Sequence, residues 1–124
     1  MVYKRFEELP VWQDSRRVVS AIYVLLSRNE KLRRDFSLAD QLKRANYSII
    51  LNIAEGFERG TSKEFAYFLN VAKGSAGEVR TILYIIEDIG YTNKIELLQL
   101  KYEVETISTQ LSNFRTFIRR NSLK

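Results

Sequence analysis

The sequence contains no histidine and no cysteine, and these two absences exclude most of the chemistry that small helical proteins carry out. Without cysteine there are no disulfides and no thiolate nucleophiles, which suits a reducing compartment. Without histidine there is no imidazole base, no Ser-His or Cys-His pair, no zinc site of the Cys/His type and no Glu-x-x-His di-iron motif. We therefore expect a binding or assembly protein, not an enzyme, with no metal and no cofactor.

The sequence gives little support for a phosphate-binding loop or for a magnesium site made of carboxylates. The stretch from Gly56 to Gly60 lacks the Gly-Lys-Ser/Thr that completes a phosphate-binding loop. Glu55, Glu58 and Glu64 form the only local group of carboxylates that could hold magnesium for phosphodiester cleavage. Helix caps and loop salt bridges use the same residue types, and we favour that interpretation.

Long apolar runs are also missing. Charged residues interrupt every candidate before it reaches the roughly 20 residues that a bilayer crossing requires. The opening Met-Val-Tyr-Lys-Arg-Phe-Glu-Glu places charges where a signal peptide has its apolar segment. We therefore expect a cytoplasmic protein without membrane contact, and the length of 124 residues predicts one domain over residues 1–124.

One proline and five glycines punctuate a chain that is otherwise rich in helix-forming residues. The first predicted helix begins at Pro10, which a first turn tolerates, and ends near Ser27. The second predicted helix is expected to begin at Ser37, whose hydroxyl caps the first turn while Asp40 reaches back, and to end at Gly56.

The third predicted helix begins with a capping box formed by Thr61 and Glu64, and it ends before Gly90. Its apolar residues follow a three-four alternation from Phe65 to Ile89. The fourth predicted helix runs from about residue 94 to residue 120 with the same alternation. The connections are short enough to make consecutive helices antiparallel, so the sequence predicts an all-α, up-down-up-down four-helix bundle.

Positive charge is the clearest functional signal. Twenty Lys and Arg outnumber fifteen Asp and Glu, and no acidic residue follows Glu105. A phosphate backbone is the natural complement, because neutralising phosphates releases condensed counterions. Two alternatives explain the basic residues without a ligand: they keep a surface solvated, or they lie in C-terminal turns where positive charge opposes the helix dipole. The residues predicted to contact phosphate are Arg16, Arg17, Lys43, Arg115, Arg119 and Arg120.

Three further patterns have open interpretations. Helix two carries a polar stripe beside its apolar seam, which we interpret as a register-fixing hydrogen-bond network, with an interface or ligand site as the alternative. Gly74 and Gly77 cost helix stability, which suggests a close helix contact within the bundle or between subunits. Most aromatic residues lie on core seams, and packing is favoured over base stacking for the others. The stripe contains Gln41, Arg44, Ser48, Asn52 and Glu55, and the aromatic residues off the seams are Tyr3, Tyr23, Tyr47, Phe57 and Tyr67.

The chain resembles a family of four-helix-bundle proteins that are encoded within intervening sequences of bacterial 23S ribosomal RNA genes. The likeness spans nearly the whole chain. Its opening motifs are Phe6, Leu9-Pro10-Val11-Trp12-Gln13, Gln41-Leu42-Lys43-Arg44-Ala45, Ser48-Ile49 and Asn52-Ile53-Ala54-Glu55-Gly56. It continues through Arg59, Ser62-Lys63-Glu64-Phe65, Phe68-Leu69, Ala72-Lys73-Gly74-Ser75, Glu78 and Gly90-Tyr91.

This resemblance implies an antiparallel four-helix subunit in a homo-oligomeric ring, a pentamer. The chain is also similar to the basic accessory proteins of diversity-generating retroelements, which share the ring form and bind nucleic acid or a reverse transcriptase. It further suggests that Arg44 pairs with Glu78. Two hypotheses follow: a homo-oligomer that binds the phosphates of RNA or DNA, or a scaffold that recruits a partner enzyme or ribosomal component.

Overall fold

The computed structural model describes residues 3–121, and this part of the chain is helical and contains no strand. A short 3-10 turn at Phe6–Glu8 precedes five α-helices, four of them long. The helices are α1 (Pro10–Arg28), α2 (Glu30–Arg34), α3 (Phe36–Glu58), α4 (Ser62–Asp88) and α5 (Lys94–Arg120). The predicted all-α class is therefore confirmed, whereas α2 was not predicted.

The segment between α1 and α3 differs from the prediction because two side chains in it cap helices. Asn29 accepts a hydrogen bond from the backbone N–H of Leu32 at 2.8 Å and starts α2. Asp35 accepts one from the backbone N–H of Leu38 at 3.2 Å and starts α3. The expected cap at Ser37 was wrong, because Asp35 already occupies the capping position and Ser37 lies inside the first turn.

The predicted end of this helix at Gly56 was also wrong, since α3 continues to Glu58. Helix α4 approaches α3 closely at Gly56. A Cβ atom at Gly56 would lie 2.7 Å from the Cβ of Phe68 and 3.0 Å from Cδ1 of Phe65. Only glycine therefore allows α3 and α4 to come this close at that level.

The predicted ends of α4 and α5 are confirmed. The hydroxyl of Thr61 accepts a hydrogen bond from the backbone N–H of Glu64 at 3.2 Å, and Gly90 has a positive φ of 80° after the end of α4. Asn93 caps α5 by accepting from the backbone N–H of Glu96 at 2.8 Å. Ile89 was expected in the apolar seam, but it follows the last residue of α4 and is 49% exposed.

The four long helices contact one another in a cycle: α1 packs against α3 and α5, and α4 also packs against α3 and α5. A single buried cluster of aliphatic side chains fills the centre, together with Phe65. None of the helices in residues 3–121 combines the length and apolar character that crossing a membrane requires.

Candidate nucleic-acid interface

The two arginines predicted on α1 are exposed but differ in their surroundings. Arg17 forms an ion pair with Asp14, whose second oxygen accepts a hydrogen bond from the side-chain amide of Gln110 in α5 at 2.8 Å. The guanidinium of Arg16 lies 5.8 Å from the centroid of the Trp12 ring. Across residues 3–121, no carboxylate forms an ion pair with Arg16. The charge of Arg16 is thus available to a phosphate, while that of Arg17 is partly neutralised.

Three more predicted arginines lie in the last turns of α5. Arg119 and Arg120 are exposed, and Arg115 is half-buried. Within the described part of the chain, none of the three forms an ion pair with a carboxylate. Phe114 packs edge-on against Phe65 of α4, with ring centroids 5.5 Å apart, and this contact anchors the end of α5. The arginines therefore extend from a fixed helix, although the negative end of the helix dipole also favours them.

The five arginines lie on α1 and α5, two long helices that pack against each other. Val11 of α1 and Phe114 of α5 line the same depression, so the start of α1 lies beside the end of α5. Arg17 and Thr106 line another depression between the two helices. At a rise of 1.5 Å per residue, Arg115 lies roughly 13 Å farther along α5 than Thr106. We call Arg16, Arg17, Arg115, Arg119 and Arg120 the α1–α5 basic surface.

Lys43 is not part of the α1–α5 basic surface. It lies on α3 and lines an open depression of about 860 Å³ together with Tyr23 and Ser27 of α1. Those two residues belong to the C-terminal half of α1, whereas Arg119 and Arg120 lie toward the N-terminal end of α1. Lys43 is thus separated from the arginines at the end of α5.

The expected pair between Arg44 and Glu78 was wrong. Nε of Arg44 donates to the carboxylate of Asp40 at 2.8 Å, and this hydrogen bond raises the pKa of Arg44. Asp40 is one turn earlier on the same helix, so this pairing is local and requires no contact between helices. Arg44 remains exposed on α3.

Part of the polar stripe forms the predicted hydrogen-bond network. The side-chain amide of Asn52 donates to the carbonyl and hydroxyl oxygens of Ser48 at 2.7 and 2.9 Å. The hydroxyl of Ser75 in α4 donates to the hydroxyl of Ser48 at 2.7 Å. This bond joins α3 to α4 and confirms the register-fixing interpretation for these residues.

Gly74 and Gly77 do not make the close contact that was one of the two interpretations. A Cβ atom added at either glycine would meet nothing within 4 Å. Both glycines line an open groove between α3 and α4 with Leu38 and Ile85, and Ile85 is 40% exposed. The contact within the chain is therefore excluded, and a contact between subunits stays a prediction.

The carboxylates considered for magnesium have other partners or none. Glu55 accepts a hydrogen bond from Nε of Arg59 at 2.6 Å, and this bond raises the pKa of Arg59. The guanidinium of Arg59 also lies 5.0 Å from the centroid of the Phe68 ring. No group of three potential metal ligands occurs among residues 3–121. Glu55, Glu58 and Glu64 are thus not assembled into a site of that kind.

Four exposed aromatic residues were not predicted from the sequence, namely Phe36, Tyr84, Tyr102 and Phe117, and Phe36 is the most exposed of them. Phe36 is 82% exposed at the first position of α3 and lines the same depression as Lys43. The signal was its phase: Phe36 precedes the buried Leu42 by six residues, which places the two side chains on different faces of a helix.

Comparison with known proteins adds a family and a fold. The sequence model for 23S rRNA-intervening sequence proteins matches residues 7–113. A crystal structure from Bacteroides thetaiotaomicron, described as a protein with unknown function from the S23 ribosomal protein family, superposes with a TM-score of 0.79. The two chains are 21% identical, and the match covers 85% of this chain and 97% of that chain. At this identity the likeness shows the fold alone. A search of curated proteins finds no match.

Proposed function

The chain belongs to the 23S rRNA-intervening sequence protein family, and from this premise we propose that it is a non-enzymatic, homo-oligomeric protein that binds RNA or DNA through backbone phosphates. The observation that carries the proposal is the α1–α5 basic surface. Four of its five arginines form no ion pair with a carboxylate within residues 3–121. Such charges gain most from phosphate, because binding releases condensed counterions without first breaking an ion pair. The protein would act in the cytoplasm and need no cofactor.

The proposed subunit is an antiparallel, up-down-up-down four-helix bundle. Contacts between α4 and α5 support opposite directions for these helices. Lys101 of α5 pairs with Glu87, and Glu105, one turn farther along α5, pairs with Arg80, which lies earlier in α4. The short connection at 89–93 fits the same arrangement.

The proposed assembly is a pentameric ring. A ring repeats the α1–α5 basic surface in every subunit, so a modest charge of +5 per chain becomes a multivalent surface. The open groove beside Gly74 and Gly77 supports self-association, because exposed apolar surface and helix glycines both cost stability in an isolated chain. Light scattering of the purified protein tests this part, and a monomeric mass would contradict it.

The binding proposal is tested by the salt dependence of affinity. We expect the protein to bind a structured RNA or a duplex DNA, with a logarithmic affinity that falls linearly with the logarithm of salt concentration. Each neutralised phosphate of duplex DNA contributes about 0.9 to the slope. Absence of binding at low salt would refute the proposal.

A charge-matched pair of variants tests the location. Arg119→Glu with Arg120→Glu reverses two exposed charges of the α1–α5 basic surface, and Lys73→Glu with Lys94→Glu reverses two exposed charges elsewhere. Both variants change the net charge by the same amount. We expect the first to lower the affinity and the salt slope more than the second, and equal effects would contradict the assignment.

A protein-interaction scaffold is the second candidate, and an exposed apolar stripe on α5 favours it. Ile95, Leu98 and Tyr102 are 84%, 59% and 67% exposed, and their spacing places them on one helical face. A partner protein bound there would copurify at high salt and be lost on Leu98→Glu. Copurification that high salt abolishes would count against this candidate.

A further inference from the structure

Phe36 is an exposed aromatic ring at a basic corner of the molecule. It is the first residue of α3, directly after the cap residue Asp35, and 82% of its surface is exposed. The segment from 28 to 34 that precedes it contains four Arg and Lys residues and one Glu. A phenyl ring here contributes little to the core, since its ring remains in solvent.

The ring lies at an open depression between α1, α2 and α3, which we call the Phe36 depression. Its volume of about 860 Å³ is within the range of small-ligand sites. Tyr23 and Ser27 of α1 line one side, and Lys43 of α3 and Arg33 of α2 line the others. The depression thus combines aromatic rings with two cationic side chains.

The charges in the Phe36 depression are arranged in favour of an anion. Within the part of the chain that the structure describes, Lys43 forms no ion pair. Arg33 donates to the carbonyl oxygens of Leu26 and Ser27 at 3.0 and 2.6 Å, so its positive charge is held at the wall. The one carboxylate that lines the depression, Asp40, is paired with Arg44. The repulsion that Asp40 would exert on a phosphate is thereby reduced.

The spacing along α3 suits a single nucleotide. Phe36 and Lys43 are seven residues apart, close to two full turns, so they lie on the same face of the helix. The helical rise places their Cα atoms roughly 10 Å apart along the axis. The long side chain of Lys43 shortens this distance to its ammonium group, which leaves room for a base on the ring and its phosphate at Lys43.

We propose that the Phe36 depression is a base-stacking subsite for single-stranded nucleic acid, in which an unpaired base stacks on Phe36 and its phosphate binds Lys43. The subsite rests on the proposed function, and it names the class of nucleic acid: single strands, loops or ends. Bases within a duplex are stacked on one another and cannot lie on a protein ring. The α1–α5 basic surface holds any phosphate backbone, whereas this subsite distinguishes single strands from duplexes.

Phe36→Ala and Leu51→Ala form a matched pair for the test. Both residues lie on α3 and are exposed, at 82% and 63%, so both truncations remove an apolar side chain that contributes little to the core. The probes are a fluorescently labelled oligouridine and an RNA duplex of equal length, with fluorescence anisotropy as the readout. The oligomeric mass of each variant is measured in the same buffer.

We expect Phe36→Ala to weaken binding of oligouridine about fivefold to a hundredfold, which is the usual effect of losing one stacked base. Duplex affinity should not change, and Leu51→Ala should match the unmodified protein on both probes. Phe36→Trp should restore single-strand binding, because the indole ring also stacks, and its fluorescence should be quenched by the bound base. An equal loss on both probes would overturn the inference.

Two further outcomes separate this inference from the proposed function. If Phe36→Ala binds oligouridine as tightly as Leu51→Ala does, while reversal of Arg119 and Arg120 still weakens binding, the subsite is refuted and the proposed function stands. If Phe36→Ala changes the oligomeric mass and not the intrinsic affinity, Phe36 is a subunit contact and the inference is wrong. If the unmodified protein binds neither probe, the proposed function and the inference fail together.

Discussion

The hydroxyl of Tyr91 donates a hydrogen bond to the carboxylate of Asp35 at 2.8 Å, which joins the α4–α5 connection to the start of α3. Asp35 also caps α3, and the backbone carbonyl of Tyr91 accepts from the side-chain amide of Asn29 at 2.9 Å. Two capping residues and one tyrosine thus connect the helix ends on one side of the molecule. The Phe36 depression lies directly beside this connection, since Phe36 follows Asp35.

The Tyr91 hydrogen bond predicts a pH dependence of stability. The bond to Asp35 raises the pKa of Tyr91 above its ordinary value, because ionisation would remove the donated proton. A raised folded-state pKa contributes stability that is present below the unfolded pKa of about 10 and is lost as pH rises through the folded pKa. We expect Tyr91→Phe to lower the melting temperature at pH 7 and to weaken its further decline above pH 10. Thermal unfolding followed by circular dichroism measures both.

Tyr67→Phe is the control for Tyr91→Phe, because Tyr67 is 63% exposed and its hydroxyl makes no hydrogen bond to another described residue. It should leave the melting temperature at pH 7 unchanged. Identical melting curves for both variants across the pH series would contradict the assigned role of the Tyr91 hydroxyl.

Two glycines predict opposite effects of the same substitution. Gly56→Ala places a methyl group 2.7 Å from the Cβ of Phe68, so it should cost about 1–3 kcal/mol of unfolding free energy through overpacking. Gly74→Ala meets nothing within 4 Å and should add up to about 1 kcal/mol, since alanine is the better helix former. Urea unfolding measures both values. If Gly74→Ala is destabilising, a side chain at this position must clash with something outside the described chain, as a close contact between subunits would cause.

Asn46 predicts a contrast between an apolar and a charged replacement. It is fully buried, its amide donates to the carbonyl of Val19 at 3.1 Å, and its Oδ1 has no hydrogen-bond partner among the described residues. Asn46→Leu removes the unsatisfied oxygen and should change the unfolding free energy by less than about 1.5 kcal/mol. Asn46→Asp buries a charge and should cost about 3 kcal/mol or more. If the two substitutions lower the unfolding free energy by the same amount in urea unfolding, Asn46 does not lie in a water-free environment.

The pair of Lys101 and Glu87 predicts coupling between two substitutions. The side chain of Lys101 is only 11% exposed, and its ammonium lies 4.0 Å from the centroid of the Tyr84 ring. Glu87→Gln leaves this cation without its counter-ion and should cost about 1–3 kcal/mol. Adding Lys101→Met should recover part of that loss, because the uncompensated charge is removed. A double-mutant cycle from urea unfolding measures the coupling. If the free-energy changes of the two single substitutions simply add up in the double variant, the prediction is wrong.

Local patterns were enough to predict most of the helix ends. Thr61 and Glu64 are three residues apart, so a cap between them needs no contact from the rest of the fold. Gly90 was predictable because a positive φ favours glycine in any helix end. The apolar alternation from Phe65 indicated a buried seam for the same reason. It was wrong at Ile89, which lies beyond the helix end, and Phe68 is only half-buried.

The amino-acid composition alone excludes reactions that depend on histidine or cysteine within this sequence. A chain without histidine and cysteine lacks the side chains that the excluded reactions need, whatever its fold. Its positive charge was equally visible, and so were the motifs of the 23S rRNA-intervening sequence protein family, whose sequence model matches residues 7–113. The distribution of that charge over the surface could not be predicted, because Lys43 and Arg119 are both positive but lie in different parts of the fold.

Packing between helices determines several features that no single helix contains. The hydroxyl groups of Ser48 in α3 and Ser75 in α4 are 27 residues apart in sequence, and they form a hydrogen bond because these two helices pack together. Residue 56 has to be glycine because α4 passes close to it, and the residues of α4 that make this contact follow it by nine and twelve positions. The exposure of Phe36 beside Lys43 depends on how α1 and α2 pack against α3. These features arise from contacts between helices, and helical periodicity contains no information about them.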